Sequence, residues 1–437
     1  MRKVTTTREL TALAVPLALT QLAQVALTTT DTVMLGLLGV EALAAGGLAM
    51  VIFNQFRTMG VGLVTAVGNQ VAAAHARQED LGDLIRAALA LATVAGVGGA
   101  VLMVAVGEGV GLLGQDPVVI DGMRPMLWAL APGLVPCLWF QAIRQFTVGM
   151  RRPQALLRIT LASIVVNGVL NAALMGPFGL AGIGLATSSV YLLTFLALYA
   201  SARRDPELAP MLDLRAWRAR PATLRGLTGL GVPIAATYGS EAGFFSLVAL
   251  LVGTFGTAAL AAHTAVNQLV YIVFQISVGL SHAASIGVSR EVALGDPQRA
   301  RRIARAALAC GAIAMGVVGL VYLALPELVL RAFLEAGDGT ATGIATSLLM
   351  VAAVMQFVDC AQNIGVGLLR GLDDTKGGFR VTLVGYWLVG LPAVWLLSVP
   401  AGLDTLGTWL GLFTGLAATA ALLLTRFHRA LSALQKE

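Results

Sequence analysis

From Leu10 to Gly36 the sequence runs apolar with one charge in it, Asp31, and runs of this kind follow one another to the end of the chain. No other feature limits the fold as strongly. A stretch of roughly 20 apolar residues matches the hydrocarbon core of a bilayer, about 30 Å thick. In that medium every backbone N–H and C=O must be satisfied within the segment, which a helix does by itself. Twelve segments are read, near 10–36, 47–74, 84–107, 125–149, 154–175, 180–201, 226–253, 258–288, 302–325, 341–368, 379–399 and 405–425. Each is apolar nearly all round, as expected of lipid-facing or buried helices. Membrane β-strands would be about 9–11 residues long with alternating polarity, and no such alternation is seen. Charged residues make up 12% of the chain, against about 25% in soluble proteins. The deficit is spread along the whole length, so the expectation is an all-α membrane protein with twelve transmembrane helices. The start, MRKVTTTRELTALAVPLALTQLAQVAL, imitates a secretory leader. Its apolar run is too long for a leader core of about 7–15 residues, and it is expected to remain as the first helix.

The charges between spans give an orientation through the excess of Lys and Arg in cytoplasmic loops. With the N-terminus cytoplasmic, one set of loops and ends collects Arg2, Lys3 and Arg8, then Arg77 and Arg86, then Arg151, Arg152 and Arg158. It continues through the arginines of 202–225 and those between Arg290 and Arg305, to Arg370, Lys376, Arg380 and the tail residues Arg426, Arg429 and Lys436. The alternate loops hold only Arg124 and Arg331. Both termini are therefore expected on the cytoplasmic side of the membrane. The net charge of +6 follows from this topology and from anionic lipid headgroups, and no nucleic-acid partner is needed.

The polar stretch 202–225, ARRDPELAPMLDLRAWRARPATLR, separates six spans from six. The halves repeat. A shift of 217 residues lays Pro16 on Pro233, Gly36 on Gly253, Gly39 on Gly256 and Leu43-Ala44-Ala45 on Leu260-Ala261-Ala262, without a gap. A shift of 218 lays Gly149 on Gly367 and Arg152 on Arg370. The expected organisation is an N-lobe over 1–201, a cytoplasmic linker over 202–225 and a C-lobe over 226–437. Two lobes with an even number of spans share orientation, an arrangement common in secondary transporters. The repeat also pairs Gln24 with Glu241 and Gln141 with Asp359. Equivalent positions should face equivalent directions, so these four are expected toward a central cavity. Asp31 lies about two helical turns beyond Gln24, on the same face.

Acids inside spans are rare and usually face a bundle interior or water. Here they are Asp31, Glu241 and Asp359. Asn167 and Asn171, four apart on one face of the fifth span, lie at a depth similar to Asp31. An acid among amides and threonine hydroxyls can hold a proton or a small cation. Alternatively, Asp31 caps or snorkels, and the asparagines join helices by hydrogen bonds. Glu241 and Asp359, each near the middle of its span, would suit a hard cation with oxygen ligands. Arg57 lies too deep to reach an interface, and either pairs with a cavity carboxylate or welcomes an anionic substrate. Arg144 is nearer the cytoplasmic side and is expected to snorkel. His263 and His282 lack the spacing of a metal site. Cys137, Cys310 and Cys360 are expected as buried thiols. Pro16 and Pro233 allow helix bending. No nucleotide-binding or hydrolytic motif appears, so neither ATP drive nor enzyme activity is expected.

AVPLALTQLAQVALTTTDTVMLGLLGVEALAA, QAIRQFTVGMRRP, LAAHTAVNQ and LLRGLDDTK together resemble the MATE family of multidrug and toxic-compound extrusion transporters, most nearly its bacterial NorM branch. The resemblance covers essentially the whole chain. It implies a V-shaped fold of two pseudo-symmetric six-helix lobes and a monomeric antiporter without an organic cofactor. Such a protein expels cationic, often aromatic drugs by alternating access while Na⁺ or H⁺ flows in. It further implies that Asp31, Asn167 and Asn171 form an N-lobe coupling site, with Glu241 and Asp359 a C-lobe site able to hold Na⁺. Gln24, Arg57 and Gln141 are expected at the substrate cavity. Some sodium-coupled relatives have a tyrosine four residues before the last acid, where this chain has Met355, which leaves Na⁺ and H⁺ both open. Arg57 is not a residue of the family pattern. The alternatives are a lipid-linked oligosaccharide flippase, which would line its cavity with several cations, a multi-span enzyme and a channel.

Overall fold

The computed structural model describes residues 2–113, 117–331, 333 and 339–435. Lys436 of the basic tail lies outside them. Among the described residues there are helices and turns and no strand. Among the described residues, eleven helices are long and apolar enough to cross a membrane. One of them, α6 (Gln154–Arg204), holds two of the expected spans, because its backbone leaves helical geometry at Gly179 (φ 56°, ψ −131°), just after Pro177. The chain reverses there. A Cβ on Gly182 would run into the Leu174 carbonyl, which in an unbroken helix would lie two turns away. Counted as two legs, α6 brings the spans to the twelve read from the sequence.

By packing, the chain resolves into two units, Leu19–Tyr238 and a second made of Met1–Ala18 with Gly239–Glu437. The first contains α1 (Arg2–Leu37) from Leu19 onward, α2 (Val40–Ala76), α3 (Gly82–Gly109), α4 (Pro117–Leu130), α5 (Leu134–Gly149) and α6. It closes with the start of α7 (Pro221–Gly253). Its core gathers Leu35, Phe53, Met103, Met123, Met126 and Leu130. Lipid tails are as apolar as these side chains, so close approach of helices depends on small residues more than on the hydrophobic effect. Gly62 lies against the Ala235 backbone, Gly96 against Val135 and Gly149 against Gly68 and Val71. The opposite face of α3 presents Val94, Val97 and Val101 outward.

The connection over 202–225 is tied down at both ends. The Arg220 N–H and the Thr223 hydroxyl donate to Asp83 at 3.1 and 2.5 Å. Arg86 bridges to Asp213 at 3.1 Å, and Arg152 bridges to Asp205 at 3.0 Å and Glu207 at 2.5 Å. The Arg215 backbone N–H, helped by the Arg215 and Arg86 guanidinium groups, holds the Asp213 carboxyl down to about 2.

The second unit contains the remainder of α7, then α8 (Thr257–Ala293), α9 (Pro297–Ala324), α10 (Pro326–Leu330), α11 (Gly339–Gly371) and α12 (Thr375–Leu383). A π-helical segment, Val384–Gly390, joins α12 to α13 (Leu391–Ser398), and α14 (Asp404–Ala433) ends the unit. Its core centres on Phe244, Tyr386, Trp409, Leu348 and Leu412. Asp374 caps α12 by accepting from the Gly377 N–H and takes Arg426 of α14 in a two-point pair at 2.6 and 3.0 Å.

The duplication is visible in the backbone. Gly39 and Gly256, superposed by the 217-residue shift, precede α2 and α8 with nearly the same torsions, φ 107° ψ 174° and φ 110° ψ 170°. That region is open to glycine and costly for other residues.

Candidate functional site

Asp31 is fully buried. The Asn171 amide donates to its Oδ1 at 2.8 Å and also to Asn167 Oδ1 at 3.1 Å. The Thr187 hydroxyl lies 3.1 Å from Asp31 Oδ2 and 3.0 Å from the Ile183 carbonyl. Asn171 and Thr187 stand at equal distances on either side of Gly179, so the reversal in α6 puts both at one depth against one carboxylate. Two further polar atoms, Asn167 Nδ2 and Asn171 Oδ1, are buried there without a hydrogen-bond partner. The threonines around Asp31 in sequence play no part in this cluster. Thr28, Thr29, Thr30 and Thr32 each donate back to carbonyls of α1. Thr187 escapes notice in the sequence because only the reversal at Gly179 aims it at Asp31.

Gln24, Arg57 and Gln141, three residues from distant parts of the sequence, line one cavity in this unit, together with Tyr191 and the hydroxyls of Thr28, Thr160, Ser163 and Thr194. Its volume is about 30 Å³, room for a pair of waters and far below the several hundred Å³ of a drug-sized pocket. Asp31 is enclosed beside this cavity and is not part of its wall. Arg57 donates from Nε to Asn54 Oδ1 at 3.1 Å. Arg144 does not snorkel. It is 3% exposed, with its guanidinium on the amide oxygens of Gln141 at 3.1 Å and Gln21 at 3.2 Å. Two glutamines within reach make a buried position less costly than its distance from an interface suggests.

In the second unit, Glu241 of α7 accepts a hydrogen bond from the Tyr386 hydroxyl at 3.3 Å. Asp359 of α11, 6% exposed, is close enough to feel the charge of Glu241 and makes no hydrogen bond among the described residues. Tyr386 also senses both acids and meets Gln362. It is stacked flat on Phe244, ring centroids 5.1 Å apart, and the neighbouring Trp387 donates to Ser240 at 2.8 Å. The π-helical segment sets this arrangement. Such segments often mark functional sites, and here two glycines within the segment permit it. A Cβ on Gly385 would strike Thr419, and one on Gly390 would crowd Gly415. Met355 is core packing, so the hydroxyl at this site comes from Tyr386. No group of three or more His, Cys, Asp or Glu is present among the described residues. A cation here would rest on two carboxylates and the neutral oxygens of Tyr386 and Gln362. His263 accepts from Trp409 at 3.1 Å and is packing. The three cysteines are free, Cys137 and Cys360 buried and Cys310 partly so.

The family model of MatE matches residues 16–173 and 233–396. The chain belongs to the MatE family. The two matched stretches open on Pro16 and Pro233, the pair superposed by the internal repeat. Among the MatE relatives, a probable multidrug resistance protein NorM of Pseudomonas aeruginosa is 37% identical, over 93% of this chain and 86% of its own. One of Bradyrhizobium diazoefficiens is 36% identical, over 95% and 92%. The fold is that of a solved multidrug resistance MATE family transporter in an outward-facing conformation, with a TM-score of 0.91 at 16% identity, over 99% of this chain and 97% of that one. This MatE chain is thus a multi-pass membrane protein of a transporter family.

Proposed function

We propose that this chain is a multidrug efflux antiporter of the bacterial inner membrane, expelling cationic, aromatic compounds by alternating access in exchange for inward Na⁺ or H⁺. The names of its relatives support the efflux reading. The observation that carries the coupling is the pair Glu241 and Asp359, two carboxylates within electrostatic reach, the Asp359 carboxylate having no hydrogen bond among the described residues. Two such acids in an apolar surrounding cannot both stay charged without a counter-ion. Loading a proton, a Na⁺ or a cationic compound on them therefore excludes the others. Asp31, with Asn167, Asn171 and Thr187, is a second, enclosed carboxylate, where a small cation or a proton on the carboxyl would have the unpartnered Asn171 Oδ1 as a further acceptor. Each monovalent charge moving inward contributes about 2.3 kcal/mol per 100 mV, enough to shift a two-state equilibrium roughly fifty-fold. Binding of drug-sized compounds requires the cavity about Gln24, Arg57 and Gln141 to widen.

The test is accumulation of a fluorescent cation inside everted vesicles, whose lumen corresponds to the cell exterior, with a Na⁺ or a pH gradient imposed separately. Transport under one of the gradients, lost in Asp359→Asn at equal membrane expression, is expected. No transport under either gradient defeats the antiporter reading. Flipping of a lipid-linked sugar in its place would favour the alternative.

A further inference from the structure

The connection over 202–225 sorts its apolar side chains into two sets. Leu208 and Leu212 are buried against the protein, whereas Leu214 and Trp217 stand 42% and 80% exposed. The Trp217 indole N–H has no hydrogen-bond partner among the described residues. This exposure is built in, because the segment is held on both sides of it. Arg86 takes Asp213 at 3.1 Å, and Asp83 accepts from the Arg220 N–H and the Thr223 hydroxyl. The same ties set the depth. Asp83 and Arg86 lie at the start of α3, where the third apolar span begins, and the 3₁₀ turn Ala216–Arg218 packs against α3. Trp217 is three residues from Arg220, so it is held within about 11 Å of that level, in reach of the lipid headgroups. From Arg215 to Arg225 there are four arginines and no acid. Arg215 turns to Asp213 at 3.0 Å and Arg220 feels the charge of Asp83. Arg218 and Arg225 have no side-chain partner among the described residues. A tryptophan has an apolar body and a polar edge, and among arginines it suits the membrane interface. Basic residues clustered beside a span attract anionic lipid. We propose that this connection docks on the anionic surface of the bilayer that holds the chain. Trp217 and Leu214 enter between the headgroups, and Arg218 and Arg225 bind lipid phosphates. Substitutions that remove the ring leave position 217 in the hydrated zone. The proposal uses neither the antiport reading nor the nature of any transported compound.

Tryptophan emission of the purified full-length protein in reconstituted vesicles tests this without any transport. The signal of Trp217 is the difference between a protein and its own Trp217→Phe variant, or Trp217→Tyr should the first not fold. Vesicles contain phosphatidylcholine alone or with phosphatidylglycerol, each with and without a phosphatidylcholine brominated near the top of its acyl chains. Both leaflets share one composition, so the direction of insertion does not affect the result. With phosphatidylglycerol present, the Trp217 emission is expected to lie to the blue of tryptophan in water and to be quenched by the brominated lipid. Without phosphatidylglycerol, or with Arg218→Gln and Arg225→Gln combined, the ratio of quenched to unquenched Trp217 is expected to fall at least about fivefold, the scale of one basic residue's attraction to an anionic surface. Emission at the position of tryptophan in water, untouched by bromine, overturns the proposal. So does quenching that is the same in both lipids and in the double variant. Shielding of Trp217 from acrylamide that grows with the protein-to-lipid ratio, and not with phosphatidylglycerol, assigns the surface to a second copy of the chain and likewise overturns it.

Discussion

At the scale of single residues, what distinguishes this chain is where its few polar side chains find partners. Asp31 receives two hydrogen bonds from α6, and removal of a donor to a buried acceptor costs about 1–3 kcal/mol. Asn171→Leu and Thr187→Val are each expected to lower the thermal midpoint by several degrees. In a double-mutant cycle, Asp31→Ala with Asn171→Ala should show a coupling of about 1 kcal/mol or more. Additive effects would mean that the contact contributes nothing. Thr28→Val, which removes a hydroxyl bonded only to its own helix, should change stability little. In the second unit, Tyr386→Phe removes the hydroxyl on Glu241 while keeping the stack on Phe244. Efflux is expected to fall with expression unchanged. Wild-type efflux by Tyr386→Phe would reduce that tyrosine to packing.

At the scale of elements, two reversals decide more than the helices they join. Gly179 has open space around its Cβ position, so Gly179→Ala meets no clash and tests the torsion alone. A non-glycine residue in that region costs on the order of 1–3 kcal/mol. The midpoint should drop correspondingly, and the Asp31–Asn171 coupling should weaken with it because both legs of α6 support the cluster. An unchanged midpoint would show the reversal to be held elsewhere. The connection over 202–225 carries a pH dependence of known sign. The Asp213 carboxyl is held down to about 2, below its ordinary value near 3.8. A depressed acid stabilises the folded form above the ordinary value, and that stabilisation is lost as pH falls through the folded one. Protease cleavage within 202–225 should therefore increase between about pH 4 and about pH 2 in wild type. In Asp213→Asn it should be raised already at neutral pH and flat across that window.

At the scale of the whole molecule, the alternation of basic loops predicts the side of the membrane on which each connection lies. Trp217, 80% exposed in the long connection, and Asp121, 77% exposed near the start of α4, are expected on opposite sides. In a chain with Cys137, Cys310 and Cys360 replaced, Asp121→Cys should react with an impermeant maleimide on intact cells. Trp217→Cys should react only after permeabilisation. The reverse pattern would invert the orientation.

The sequence by itself determined the medium, the helices and the duplication, because apolar length and the cost of an unsatisfied backbone in lipid are properties of each stretch alone. It also picked out Asp31, Glu241, Asp359 and Arg57, since a charge in a span stands out against its neighbours. Gln24, Arg57 and Gln141 share a cavity wall, and in the sequence the repeat was the sign that directed attention to the first and last of these. Tertiary structure decided the pairings. Thr187 rather than the adjacent threonines supports Asp31, Tyr386 rather than residue 355 serves the acids of the second unit, and Arg144 is buried on two amides rather than drawn to an interface. Each of these depends on how a helix is rotated about its axis and where its backbone departs from regular geometry. Rotation is fixed by the fit of glycines against facing helices, at Gly385 on Thr419 and at Gly149 on Gly68 and Val71. That fit belongs to pairs of segments far apart in sequence, and no single stretch encodes it.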